Sequence, residues 1–168
     1  KIAAKNNLRT LLVDEKNELG GSTIYENNEF NKIDNNKPSK WLKKEIEELK
    51  SIKNLVIKTR TSVAAYHQYN YLLAKENLTD HLEAKDKTNK IRQRLLKIRA
   101  KQVILATGAL ERPLIFNNND RPGIMLSSAV KKYSELYGVA CGSKNVFFTN
   151  NDSAYESALS LYSKGINV

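Results

Sequence analysis

An acidic pair at the end of a short apolar run is the first feature of this sequence that could bind a ligand. Residues 10–14 read as a buried parallel strand that ends in Asp14, and Glu15 follows it directly. In dinucleotide-binding folds, an acid in this place accepts hydrogen bonds from the adenosine ribose and repels a 2′-phosphate. Gly21 and Ser22 then supply a turn. The pattern favours NAD or FAD over NADP, with a simple turn after a strand as the alternative.

A second apolar run ends in small residues. Residues 103–106 predict a fully buried strand that leads from Ala106 into Thr107 and Gly108. Small side chains at such an exit let the backbone approach a bound cofactor closely. We therefore expect these three residues to contact the cofactor, although an ordinary tight strand exit has the same composition.

Other residues that could do chemistry lack the partners that chemistry needs. The turn at 149–153 stands where a second dinucleotide fold would have its glycine-rich loop, yet it contains no glycine. We predict that it binds nothing, with binding through its side-chain amides as the alternative. The glycine-rich loop of the first site is expected just before Lys1. The lone Cys141 has no visible activating base, and His67 and His81 are too few for a histidine-based zinc site.

Composition and charge argue against nucleic-acid binding and against a membrane helix. The chain has 168 residues and a formal net charge of +10. Residues 85–101 contain eight basic residues and one acidic residue, Asp86. That segment contains no aromatic residue, so we predict a role in subunit contact or solubility and no nucleic-acid binding. No run approaches 18 apolar residues, which predicts no membrane helix, and the single cysteine favours the cytoplasm.

The elements that position these residues predict an α/β protein with a Rossmann-like dinucleotide-binding domain at 1–116. We expect it to carry a β-hairpin or meander insertion at about 61–100, with a bulge or a strong local twist at Leu95-Leu96, where the charge alternation changes parity. A second, degenerate α/β lobe is expected to begin at 117 and continue to 168. The chain opens inside a helix and closes inside a strand, which predicts an internal fragment. The remaining predicted strands are 55–58, 71–78, 91–100 and 146–149, and one predicted helix is 39–52. A second helix is predicted from Ser127 or Ser128 to Tyr137, with Val130, Tyr133, Leu136 and Tyr137 facing inward. A third is predicted from Asp152 or Ser153, bearing Ala154, Ala158, Leu159 and Tyr162.

Several longer strings resemble one family. They resemble the alpha subunits of heterotetrameric sarcosine oxidases, which belong to the flavoproteins with two dinucleotide-binding domains. The resemblance covers nearly the whole chain, and the strings at 118–123 and 148–155 are its most specific parts. The strings are LLVDE at 11–15, LGGS at 19–22, RT at 60–61, RQRL at 92–95, KIRAK at 97–101, ATGALERP at 106–113, NNDRPG at 118–123 and FTNNDSAY at 148–155.

The resemblance implies a function as well as a fold. It implies a part of an enzyme that oxidatively demethylates sarcosine to glycine, a formaldehyde equivalent and hydrogen peroxide. NAD is then expected in this subunit, FAD on the beta subunit and FMN near the alpha–beta interface. Beta, gamma and delta subunits are the implied partners, with tetrahydrofolate in the subunit's C-terminal part. The cofactor contacts expected in this chain are Asp14, Glu15, Gly21, Ser22, Thr61, Val63, Ala106, Thr107, Gly108 and Arg112.

Two other classes stay open from the residues alone. One is a subunit of another FAD- or NAD(P)-dependent enzyme, such as an amine or opine dehydrogenase. An iron–sulfur cysteine motif in flanking sequence would favour it. The other is a non-catalytic basic binding module, for which 85–101 would be the footprint and a steep salt dependence of nucleic-acid binding the sign.

Overall fold

The structure is a computed structural model that describes residues 1–26, 31–88 and 90–168. It divides into two compact units. The first comprises Lys1–Gly21 and Leu42–Ala106, and the second comprises Ser22–Trp41 and Thr107–Val168. The division into dinucleotide-binding domains at residue 117 stays a prediction.

A two-stranded parallel sheet organises one part of the first unit. Strands β1 (Thr10–Val13) and β2 (Leu55–Lys58) pair from Thr10↔Leu55 to Val13↔Lys58, as expected for neighbouring strands of a βαβ unit. The short helix α1 (Ile2–Lys5) precedes β1, and helix α2 (Pro38–Ser51) precedes β2. The side-chain amide of Asn54 donates to the carbonyls of Ala4 and Leu8, both at 2.8 Å, and so ties the end of α1 to the start of β2.

A three-stranded antiparallel sheet forms the other part of the first unit. Its strands are β3 (Thr61–His67), β4 (Tyr71–Asn77) and β5 (Gln93–Arg99), in that spatial order. The short helix α3 (Ala84–Lys87) lies in the connection between β4 and β5, where residue 89 lies outside the described residues. These strands confirm the predicted hairpin region.

The predicted bulge in β5 is wrong. The β4–β5 register runs without a shift from Tyr71↔Arg99 to Asn77↔Gln93, and the irregularity lies instead in β3, between Val63 and Ala65. The reason is that Arg94 occupies the inner face of the sheet, where Nη1 lies 3.4 Å from the buried carboxylate of Glu76. An ion pair therefore accommodates the charge that seemed to require a change of parity.

Two helices are the longest regular elements that lie wholly within the second unit. Helix α4 (Ser127–Tyr137) ends at Gly138, whose φ of 66° gives a left-handed cap, and α5 (Ser153–Tyr162) follows. A parallel bridge between Lys144 and Asn167 flanks α5, which is the beginning of a βαβ connection. Together with the parallel pair of the first unit, these elements confirm the predicted α/β class.

The faces of these two helices differ from the prediction. Of the apolar residues named for these helices, Ala154 is buried and Val130 and Ala158 are half-buried, but the five larger ones lie exposed, and the two helices bury mainly small and polar side chains. The physical reason is that α4 and α5 meet through an ion-pair and hydroxyl network in which Lys164 and Ser160 contact Glu135. The exposed set is Tyr133, Leu136, Tyr137, Leu159 and Tyr162, and the buried set is Lys131, Ser134, Ala154, Ser157, Ser160 and Leu161.

The two predicted strands at 103–106 and 146–149 are not formed among the described residues. Ile104 is 86% exposed and Val146 is 85% exposed. A buried parallel strand needs hydrogen-bonded neighbours at its edges and helices over its faces. The described residues supply no ladder at 103–106, and only the bridge at Lys144 near 146–149.

Candidate functional site

The carboxyl ends of β1 and β2 bring two of the predicted cofactor residues together. The backbone N–H of Asp14 donates to the carbonyl of Lys58, and the N–H of Thr61 donates to the carbonyl of Asp14, both at 2.9 Å. Thr61 is 1% exposed, so its position is fixed by packing as well as by this bond. In open parallel sheets, ligands bind outside the carboxyl ends of the strands, which is where these residues lie.

The carboxylate of Asp14 is held in one orientation. Its Oδ1 accepts a hydrogen bond of 2.8 Å from the backbone N–H of Lys16, an Asx turn that fixes the side chain. Its Oδ2 has no hydrogen-bond partner in the part of the chain that the structure describes. Glu15 is exposed, and its Oε1 lies 3.0 Å from the Nζ of Lys16. Asp14 is therefore better placed than Glu15 to accept a hydrogen bond from a ligand.

Arg60 builds the turn that holds Thr61 beside Asp14. Its φ of 50° lies in the left-handed region, which residues other than glycine seldom adopt. Two backbone bonds hold it there: its N–H donates to Lys16 at 2.7 Å, and its carbonyl accepts from Asn77 at 2.9 Å. Sequence reasoning missed this contact, because neither the left-handed conformation nor the link between the two turns has a local signal for arginine.

The other predicted residues are distributed over both units. Gly21, Val63 and Ala106 lie with Asp14 in the first unit. Gly21 has a φ of +56°, with no heavy atom within 4 Å of the place of a Cβ. Among the described residues, none of these three forms a side-chain hydrogen bond with Asp14, so the structure assembles only Asp14 and Thr61 directly.

In the second unit, Ser22, Thr107, Gly108 and Arg112 all lie exposed. Gly108 has a φ of +70°, and nothing lies within 4 Å of the place of its Cβ. The chain itself thus leaves space there, while the backbone conformation disfavours a larger residue. These four stay predictions.

Glu111 is a residue that the sequence analysis did not single out. Its Oε1 accepts from the N–H and hydroxyl of Ser127 at 3.1 and 2.8 Å, and its Oε2 accepts from the N–H of Ser128 at 2.8 Å. The carboxylate thus caps α4 in place of a local N-cap side chain. Partial burial raises the pKa of Glu111, but the hydrogen bonds from Ser128 and Ser127 outweigh it, so that the pKa lies below its ordinary value. Because the cap comes from 16 residues upstream, no capping pattern in the sequence reveals it.

A polar cleft of about 360 Å³ lies in the second unit, with Ser22 in its lining. Glu26, which also lines it, accepts two hydrogen bonds of 2.8 and 2.7 Å from Lys131, a residue whose side chain is only 7% exposed. Sequence analysis missed this pair, which joins residues 105 positions apart. The cleft's lining residues are Ser22, Thr23, Glu26, Asn31, Lys32, Ile33 and Pro38.

The turn before α5 is filled by its own side chains. The Oδ1 of Asn151 accepts from the N–H of Ser153 at 3.1 Å, and the Oγ1 of Thr149 bonds to the backbone of Asn151. These side chains occupy the helix N-terminus that would otherwise receive a phosphate. That this turn binds no pyrophosphate stays a prediction.

Neither a metal-ligand group nor a membrane-spanning helix is found in the described part of the chain. The described residues contain no group of three or more histidine, cysteine, aspartate or glutamate side chains placed to hold a metal ion. None of the helices found in residues 1–26, 31–88 and 90–168 has the length and apolar composition needed to cross a membrane.

Comparison with solved structures supports the fold. The chain matches a chain described as the crystal structure of L-proline dehydrogenase from P. horikoshii with a TM-score of 0.73. The match covers 99% of this chain and 31% of the other, at 24% sequence identity, so it bears on the fold alone. No family model matches the sequence.

Comparison with curated sequences points to one family. The chain is 41% and 39% identical to sarcosine oxidase subunits alpha from Corynebacterium sp. strains P-1 and U-96, over 97% of its length. It is 34% identical to the same subunit from Rhizobium meliloti strain 1021, over 99% of its length. It spans only 16–17% of these relatives. Over nearly its whole length, the chain is thus related to one segment of the sarcosine oxidase alpha subunits, which confirms the family that its motifs predicted.

Proposed function

We propose that this chain is part of an oxidoreductase of the sarcosine oxidase type and that it contributes to the binding of NAD. The observation that carries the proposal is the open Oδ2 of Asp14 at the carboxyl end of β1. One carboxylate oxygen is fixed by Lys16 and the other has no partner among the described residues. An acceptor of this kind fits the hydroxyl groups of an adenosine ribose.

The residues around Asp14 fit the ribose end of the cofactor. Thr61 is buried, and its backbone N–H donates to the carbonyl of Asp14, so it holds the backbone of Asp14 in place. A carboxylate repels a 2′-phosphate, which favours NAD over NADP. Gly21, in the same unit as Asp14, has no heavy atom within 4 Å of the place of a Cβ. Bound NAD would supply a hydride acceptor, and this chain's residues would bind and orient its adenosine.

The activity of the complete enzyme is proposed from the relationship to the alpha subunits. The proposed reaction is the oxidative demethylation of sarcosine to glycine, with a formaldehyde equivalent and hydrogen peroxide as further products. FAD and FMN would take part mainly through a beta subunit, and gamma and delta subunits would complete a cytoplasmic complex. Tetrahydrofolate would bind outside the segment described here.

Replacing Asp14 tests the proposal. Asp14→Ala should reduce the affinity for NAD by about 1.5–3 kcal/mol, which is the usual contribution of a hydrogen bond to a charged group. The protein is expressed in its native host, and the NAD released on heating is measured by enzymatic cycling. Asp86→Ala removes an exposed carboxylate from α3 and is the matched control. Unchanged NAD content in both the Asp14→Ala and the Glu15→Ala protein would reject this site.

A further inference from the structure

The outward face of the antiparallel sheet carries an arrangement that the proposed cofactor site does not use. Alternation along β4 buries Leu72, Ala74 and Glu76, so the residues between them point outward. The register then places Arg99, Lys97 and Leu95 of β5 beside them. We name this surface the outer sheet face, and it consists of Tyr71, Leu73, Lys75, Leu95, Lys97 and Arg99.

All charges on the outer sheet face are positive. Lys75 and Lys97 are diagonal neighbours across the β4–β5 pair, and Arg99 is the next residue along the same face of β5. Within residues 1–26, 31–88 and 90–168, none of the three forms an ion pair. Each of the three cations lies directly opposite an uncharged residue across the pair, so a negatively charged partner could pair with all three.

Three other basic residues near this sheet pair with carboxylates. Lys58 Nζ and Arg94 Nη1 lie 2.6 and 3.4 Å from the carboxylate of Glu76 on the inner face. Just before β5, Arg92 Nε lies 2.6 Å from Asp80. Among the described residues of β3, β4 and β5, the three cations of the outer sheet face are thus the ones without an ion pair, and an acidic partner would complement them.

The aromatic residue of this face is already covered. The guanidinium carbon of Arg99 lies 5.6 Å from the ring centroid of Tyr71, and the ring of His67 lies 5.9 Å from it. Single-stranded nucleic acids bind to aromatic rings that are free to stack on bases. A protein surface needs only apolar contact and carboxylates, and the outer sheet face offers Leu73 and Leu95, the latter 61% exposed, between its cations.

We propose that the outer sheet face docks an acidic, partly apolar protein surface. The cations would pair with carboxylates at the rim of that surface, and Leu73 and Leu95 would contact its apolar centre. The inference rests on sheet geometry and charge, and it stands or falls independently of NAD binding at Asp14.

The test measures binding of a fluorescently labelled decaglutamate peptide to the 168-residue chain by anisotropy at low ionic strength. The triple variant K75Q/K97Q/R99Q should bind about tenfold more weakly, since each exposed ion pair contributes roughly twofold to fivefold. The matched control K43Q/K44Q/K50Q removes three exposed charges from α2 and should weaken binding less than about threefold, because it changes net charge without touching the face.

Four results would overturn the proposal. One is that the triple variant and the control lose the same amount of affinity for decaglutamate, which would mean that net charge alone determines binding. Another is the absence of decaglutamate binding to the unmodified chain. A third is tighter binding of decathymidylate that is lost in the same triple variant, which would assign the face to nucleic acid. If circular dichroism shows that the triple variant is unfolded, Lys97→Gln replaces it with Lys43→Gln as control, and equal affinity of these two would overturn the proposal.

Discussion

The antiparallel sheet of the first unit and the helix pair of the second unit differ in the side chains that they bury. The sheet buries Leu72 and Ala74 and exposes its lysines. The helices bury Lys131 and Ser134 and leave Tyr162 73% exposed. Amphipathic helices normally pack through their apolar faces. The sheet thus buries the apolar residues of its alternating pattern. By contrast, α4 and α5 meet through their polar sides and leave large apolar side chains exposed among the described residues.

The buried lysine of the helix pair should give the largest effect. Lys131→Ala leaves the carboxylate of Glu26, whose side chain is 17% exposed, without this cation. Removing one member of a buried ion pair costs about 3–5 kcal/mol. Chemical denaturation measures the loss, and Lys132→Ala on the same helix is the control. Similar stability in the two variants would show that the helix pair does not depend on the ion pair.

The inner face of the sheet should respond almost as strongly. Leu72 is 6% exposed, and Leu72→Ala should lower the free energy of unfolding by about 3 kcal/mol through lost burial and a residual cavity. Leu95→Ala removes the same side chain from the outer sheet face and should change it by less than about 0.5 kcal/mol. Urea titration of both proteins measures the contrast, and equal losses would refute the assignment of the two faces.

The carboxylate cap of α4 should have a moderate, pH-dependent effect. Glu111→Gln should lower the free energy of unfolding by about 1 kcal/mol near neutral pH, a typical value for a lost cap. The pKa of Glu111 is lowered in the folded protein, so its stabilisation is fully present above the ordinary value of 4.5 and is lost as the pH falls through the lower folded value. Thermal unfolding from pH 6 to pH 3 should therefore bring the two proteins together. A constant difference at every pH would exclude this role.

The exposed face of α5 should give the smallest effect. Tyr162→Ser should change the free energy of unfolding by less than about 0.5 kcal/mol, because the side chain is largely exposed already. The adjacent Leu161 is 1% exposed, and Leu161→Ala should cost about 3 kcal/mol. Denaturant unfolding compares the two. A large loss from Tyr162→Ser would mean that something covers this face in solution.

Strands whose pairing partners lie within the described residues were predictable. Residues 55–58 form β2 as predicted, and the strand predicted at 71–78 is observed as Tyr71–Asn77. Each has a neighbour within the chain that completes its hydrogen bonds. The apolar run at 103–106 has the same local pattern but no ladder among the described residues, because a strand depends on a partner that periodicity does not reveal.

The candidate site was predictable only in part. Asp14 could be singled out because an acid at the end of an apolar strand is a local signal. The contact between Thr61 and Asp14 depends on a turn at Arg60 with a left-handed conformation, for which the sequence carries no indication. Glu111 was missed for a related reason, since its cap on Ser127 spans 16 residues.

The α/β class, the strands at 10–14 and 55–58, the family and the acid at the end of β1 could be inferred from the sequence alone. These rest on local periodicity and on short motifs. The tertiary structure decided which oxygen of Asp14 stays open, that Arg94 pairs with Glu76 instead of causing a bulge, and that α4 and α5 meet through polar faces. Each of these depends on the partner of a charged or polar group, and such partners are chosen by residues far away in the chain, because a buried charge must be paired wherever the fold supplies its counterion.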